Sequence, residues 1–274
     1  MPQADPAAQT GPDAQAVEHV LRHGVLTVTG RLTDASNVTL LGTVGADGLA
    51  VDCVYKPVRG ERPLWDFPDG TLAEREVAAY ELAEYAGWGC VPTTVLRDGP
   101  LGTGMVQRWI DLPEDADELV DLVPAEQVPD GWLPVLRAED GRGRPIVVVH
   151  ADSGPLAVLA AFDLVVNNAD RKGSHVLAVP DGPVFGVDHG LTFHQENKLR
   201  TILWGWAGTP LPDAVLDGLG RLYRELDGTL GAQLDELITV AEIAALRRRI
   251  ERLTTTRTYP KPPGHRTPIP WPPL

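Results

Sequence analysis

The run Pro155–Val166, PLAVLAAFDLVV, is the longest apolar segment of the chain, and its only charge is Asp163. It falls short of the roughly 20 apolar residues that span a bilayer, so it reads as an apolar helix that must be housed inside a core. The 274 residues are enough for one large domain or for two lobes sharing a cleft. With 43% hydrophobic and 23% charged residues, a globular fold is the default.

Charge narrows the partners. A formal net charge of -14 argues against a general nucleic-acid surface, because phosphate backbones are held by clustered Lys and Arg. An anionic substrate therefore needs a local basic pocket. Cys53 and Cys90 lie far apart with no histidine at zinc spacing, so they read as two buried, reduced thiols. The amino terminus lacks a basic region followed by an apolar one, so no secretory signal is expected. No transmembrane segment is read, and the expected location is cytoplasmic.

Patterning divides the chain into a lead of residues 1–14, a β-rich lobe over 15–110, a mainly helical lobe over 111–258 and a proline-rich tail over 259–274. Residues 14–24 predict a short helix stopped by Gly24. Thr71 and Glu74 stand at capping-box spacing and predict a helix running on to Gly87. The stretch VPTTVLRDGPLGTGMVQRWI predicts two strands about a turn, and residues 111–130, rich in acids and Pro, read as a linker. HVLAVPDGPVFGV predicts two short strands, and helices fill 212–253.

Chemistry concentrates in three places. Lys56 follows Val54 and Tyr55 in a strand-like run; alone it reads as a solvent-facing lysine, but Glu76 in the next helix offers a carboxylate to fix it. Asp170 lies in NNADRKGSH, a polar loop after the apolar helix, where a carboxylate can accept a hydroxyl proton. The plainer alternative is an Asx-turn closing the helix, with Arg171 and Lys172 solvated. Asp188 ends the strand VFGV where the chain turns, a position that suits a hard cation as well as it suits a hairpin. Trp204 and Trp206 read as core aromatics.

This order of pieces resembles the atypical kinases of the phosphatidylinositol 3-/4-kinase-like superfamily, with the bacterial HipA-type and secretory-pathway Golgi kinases. Those families share a strand Lys, a helix Glu, a loop of the form D-R-H-x-x-N or a variant, and a strand-end Asp followed by an aromatic or similar residue and Gly. Here the matching pieces are VYKP with Lys56, EREVAAYELAEYAGWGCVP with Glu76, NADRKGSH with Asp170 and VDHG with Asp188. The chain also resembles an actinobacterial group called phosphatidylinositol-kinase-like, a label of fold and not of a lipid substrate.

The resemblance implies an α+β, two-lobed protein-kinase-like fold, with a β-rich N-lobe, a mainly helical C-lobe and a nucleotide cleft between them. It implies ATP or GTP with Mg²⁺ or Mn²⁺, and phosphoryl transfer to a hydroxyl acceptor, whether protein Ser/Thr, small alcohol or lipid. Residue by residue, Lys56 would meet the α/β phosphates and Glu76 would brace it, Asp170 would be the acid/base and Asp188 the metal ligand. Ser36 and Asn37 would lie at the tip of a phosphate-covering hairpin, and backbone near Val106, Gln107 and Arg108 would meet the purine. Lys172 stands where relatives have His, and would place an ammonium on the transferred group. His175 stands where they have Asn or Glu, and favours Mn²⁺ as a second metal ligand over Mg²⁺. Those two departures keep open a nucleotide-binding pseudokinase; protein nucleotidylation is a third reading.

Overall fold

The structure, a computed structural model, describes residues 14–32, 37–264 and 267–274. Contacts gather the chain into two compact units, Met1–Arg62 with Thr93–Trp109, and Pro63–Pro92 with Ile110–Leu274.

In the first unit, α1 (Ala14–His23) stops at Gly24, whose N–H returns to Val20 O at 2.8 Å. A Cβ there would meet Val44 Cγ1 at 2.7 Å, so only glycine lets the helix turn so close to the sheet. That sheet holds β1 (Val25–Leu32), β2 (Thr39–Ala46), β3 (Leu49–Pro57), β4 (Thr94–Gly99) and β5 (Gly102–Arg108), all antiparallel in the order β1-β2-β3-β5-β4. Asp47 and Gly48, at φ 52° and 81°, make the tight β2–β3 turn. Strand alternation buries Val51, Cys53 and Tyr55 against Val17, Val20 and Leu21 of α1. Lys56 consequently projects from the opposite face of β3, opposite Met105 in register.

In the second unit, α2 (Leu72–Ala86) has the full Thr71/Glu74 capping box and ends at a left-handed Gly87. Its buried positions, among them Glu76 and Arg75, put α2 with this unit and not with the β-rich part to which its place in the sequence assigned it. Strands β6 (Val120–Pro124), β7 (Trp132–Glu139) and β8 (Pro145–Ala151) then form an antiparallel sheet in the order β6-β8-β7. Next come α3 (Gly154–Val166), the ribbon of β9 (Val176–Ala178) and β10 (Val184–Gly186), α4 (Asp213–Glu225), α5 (Thr229–Asp235) and α6 (Val240–Thr256). Leu156, Leu159 and Phe162 of α3 lie at the centre of one core with Leu82, Leu219 and Ile250, and Trp204 and Trp206 join it.

Two expectations change. The segment 111–130 is not merely a linker, because β6 lies within it; β6 has one buried residue, Val120, which leaves little apolar signal. The proline-rich tail packs onto the unit: Tyr259 and Ile269 are buried, and Pro268 O accepts from Thr201 N at 3.0 Å. Proline lacks an N–H but keeps a carbonyl acceptor, so a Pro-rich strand can still serve as a clamp. Among the described residues no helix is long and apolar enough to cross a membrane. Cys53 and Cys90 are free and buried, as read.

Candidate active site

The polar loop begins where α3 must stop. Asn167 takes the left-handed conformation, φ 57°, and caps the helix. Its side chain then clamps a downstream segment, with Nδ2 donating to His194 O at 2.9 Å and Glu196 O at 2.7 Å, and Oδ1 accepting from Lys198 N at 3.0 Å. Asn168, fully buried, donates to Asp163 Oδ1 at 3.0 Å and accepts Asp170 N at 2.9 Å. Both amide oxygens are thus committed to positioning the loop.

Beneath the loop lies an ion pair that the sequence did not announce. Arg171, read as solvated in the plainer alternative, is fully buried, as is Asp163. Arg171 Nε and Nη2 reach Asp163 at 3.0–3.2 Å, and Thr201 Oγ1 adds a bond to the same carboxylate at 3.0 Å. The other arm, Nη1, donates to Val187 O at 2.8 Å and His175 O at 3.2 Å, tying the ribbon end to the loop. Nη2 also meets His189 Nε2 at 2.6 Å. Because Arg can only donate, that nitrogen is the acceptor and the imidazole proton sits on Nδ1, which faces Glu76 Oε2 at 3.9 Å. The one signal for this network was Asp163, a carboxylate in an apolar helix that required a buried partner.

On this platform sit the exposed groups. Asp170 Oδ2 lies 3.0 Å from Lys172 Nζ, both sides about a quarter exposed. Burial raises the Asp170 pKa above the ordinary carboxylate value; Lys172 opposes that rise, the Asp188 charge adds to it, and Arg200 opposes it more weakly. Asp188, at φ 61°, holds a left-handed backbone that an L residue seldom adopts, with its side chain 52% exposed. His175 Nε2 is 3.6 Å from Asp188 Oδ2. Among the described residues no three His, Cys, Asp or Glu side chains form a ready metal cluster. Mg²⁺ needs only one or two carboxylates plus substrate phosphates, so the half-exposed Asp188 fits that cation.

The remaining expected residues stand as follows. Glu76 on α2 is buried and accepts His189 N at 2.8 Å, a role in fixing the Asp188 turn. Lys56 belongs to the first unit and Glu76 to the second. Ser36 lies outside the described residues, and Asn37 Oδ1 accepts Arg62 N at 2.9 Å. Val106 and Gln107 pair with β3 on one side and β4 on the other, and the ladder bonds continue through Arg108 N and Trp109 N. The backbone of these residues is thus engaged in the sheet ladder up to Trp109. Lys198 Nζ is 3.4 Å from Asp66 and lies over Trp65 and Phe67.

No family model matches the chain. Protein Rv2133c of Mycobacterium tuberculosis is 53% identical over 266 residues, covering 93% of this chain and 95% of that protein. The crystal structure of the Golgi casein kinase superposes with a TM-score of 0.54 at 14% identity, over 91% of this chain and 79% of that one. A Helicobacter pylori proinflammatory kinase, CtkA, superposes at 0.42 with 10% identity, over 87% of this chain and 94% of the other. The fold is thus α+β, two-lobed and protein-kinase-like.

Proposed function

The chain belongs to the family of Protein Rv2133c, and from that footing we propose that it is a metal-dependent phosphotransferase moving a phosphoryl group from ATP or GTP to a hydroxyl acceptor. The observation that carries the reading is the buried Arg171, which stands between Asp170 and Lys172 in the chain and, by donating to Val187 O and His175 O, ties the loop of the Asp170–Lys172 pair to the turn that bears the Asp188–His175 pair. The strand Lys, helix Glu, loop Asp and strand-end Asp, in that order, support it further by resembling the phosphatidylinositol 3-/4-kinase-like superfamily.

In this reading Asp170 takes the acceptor hydroxyl proton, and Lys172 places positive charge on the group in transit. Asp188, with the His175 nitrogen, would hold Mg²⁺ or Mn²⁺, which when bound neutralises phosphate charge. Lys56 would meet the nucleotide phosphates, and Glu76 would brace Lys56 as well as hold the Asp188 turn through His189 N; Ser36 and Asn37 would cover the phosphates. Arg171 touches no reacting atom; it is a positioning residue that fixes the loop to the ribbon.

A second reading, a nucleotide-binding pseudokinase, draws on the same pairs, because each aspartate already faces a basic neighbour. Incubation with ATP or GTP labelled at the γ-phosphate, with Mg²⁺ or Mn²⁺ and pools of protein, lipid and small alcohols, separates the readings. Label in an acceptor, lost on chelation, is expected; clear nucleotide binding without transfer would sink the enzyme reading. Mass spectrometry of all the acceptor pools, labelled or not, distinguishes phosphate from an AMP adduct, which would carry no γ-label.

The loop also has a pH signature. Asp170 must be ionised to accept a proton, so activity should rise through a limb displaced above the usual carboxylate range. Lys172→Met removes the ammonium that holds the pKa down, and should move that limb to higher pH. Carboxyl resonances of Asp170 should titrate higher in the same variant and lower in Asp188→Asn, which removes the like charge.

A further inference from the structure

α6 carries Arg248, Arg249 and Arg252, which border a cavity of about 220 Å³ completed by Gln195, Asn197 and Ala245. No acid lines it, although the chain carries a formal charge of -14. Arg247, the neighbour on the same helix, pairs with Asp227 at 2.6 Å, and Glu242 pairs with Arg75 at 2.6 Å. Among the described residues Arg248 and Arg252 have no ion-pair partner. Arg249 spends Nε on Val165 O at 2.7 Å and Nη1 on His194 O at 3.4 Å, while its Nη2 is buried without a hydrogen-bond partner. Burial, then the charges of Arg252 and Arg248, push its pKa down to about 9. Glu242, already paired with Arg75, is the acid whose charge opposes that fall at Arg249, and a cluster of three arginines so weakly balanced calls for an anion from outside.

We propose that this cavity binds a tetrahedral oxyanion of the phosphate class, either free phosphate or a phosphate ester on a side chain. Guanidinium groups present paired donors that match phosphate oxygens. The volume is about that of a phosphate with a few waters, each near 30 Å³ in the liquid, and lies below the span of roughly 300 Å³ and upward for small-molecule sites. Asn167 holds His194, Glu196 and Lys198, and the alternate residues Gln195 and Asn197 face the cavity. A bound anion would therefore stiffen the segment that Asn167 ties to the loop bearing Asp170.

This inference stands apart from the phosphotransferase reading. Titration calorimetry on the full chain, free of nucleotide and metal, would use inorganic phosphate in one arm and O-phosphoserine in the other, at constant ionic strength with chloride as control. Saturable binding is expected. It should weaken by roughly tenfold or more in Arg248→Ala/Arg252→Ala, since each charge-assisted bond carries that order of affinity. Lys56→Met, which alters the lysine assigned to nucleotide phosphates, should leave it intact. Tighter binding of O-phosphoserine supports a side-chain source, and equal or tighter binding of phosphate supports the free ion. Both arginines of the double variant are exposed, so the fold should persist, as circular dichroism would check. No saturable binding of either anion, or binding untouched by the double variant, would overturn the site.

Discussion

Asp170→Asn is expected to cut phosphoryl transfer by about a hundred- to ten-thousand-fold, the range that a positioned proton acceptor contributes, with nucleotide affinity nearly unchanged. The replacement keeps the side-chain shape and the bond from residue 170 N–H to Asn168 Oδ1. It loses the Lys172 pair, whose partners are 23% and 29% exposed and which is worth at most about 1 kcal/mol at such a place. Thermal stability should therefore hold while turnover collapses. Steady-state kinetics beside a thermal melt tests both halves, and a large fall in melting temperature would move Asp170 from chemistry to structure.

Arg171→Met should show the reverse balance. It strands the Asp163 carboxylate in the core with Asn168 and Thr201 as its hydrogen-bond donors, and releases Val187 O and His175 O. Removing one member of a buried pair costs about 3–5 kcal/mol, which in a chain of this size lowers the melting midpoint by roughly 10 °C. Asp163→Leu combined with Arg171→Met should cost less than the two single changes summed, because no unpaired charge remains. Arg171→Lys should fall between, as one ammonium cannot fork toward the carboxylate and the two carbonyls together. Urea unfolding of the wild type and the four variants would check the series, and additive losses would mean that the pair is not coupled.

Local signals carried most of what was legible. The α2 cap was readable because Thr71 and Glu74 recognise each other three residues apart. Gly24 and the β4–β5 turn were equally local. The β6–β8–β7 sheet escaped because β7 is largely exposed on both faces and β6 sits among acids and prolines, so neither shows an apolar alternation. The position of Asp188 was visible as a strand end, but its left-handed backbone was not. Arg171 was misjudged in the plainer alternative because its partner lies eight residues back, inside a helix, and charge at a loop is ordinarily solvated. The α6 arginines were read only as part of a helix; their convergence depends on residues 195 and 197 arriving from elsewhere.

Asp163 also governs how the chain can be divided. Its donors stand 5, 8 and 38 residues further along, at Asn168, Arg171 and Thr201. A chain still emerging from the ribosome, or one cut between the ribbon and Thr201, holds a buried carboxylate short of its full set of donors. Fragments broken there should dock poorly unless both pieces are present during folding. A circular permutant or inserted reporter would fare better in the β7–β8 turn around Gly141 and Gly143, where a side chain meets nothing within 4 Å.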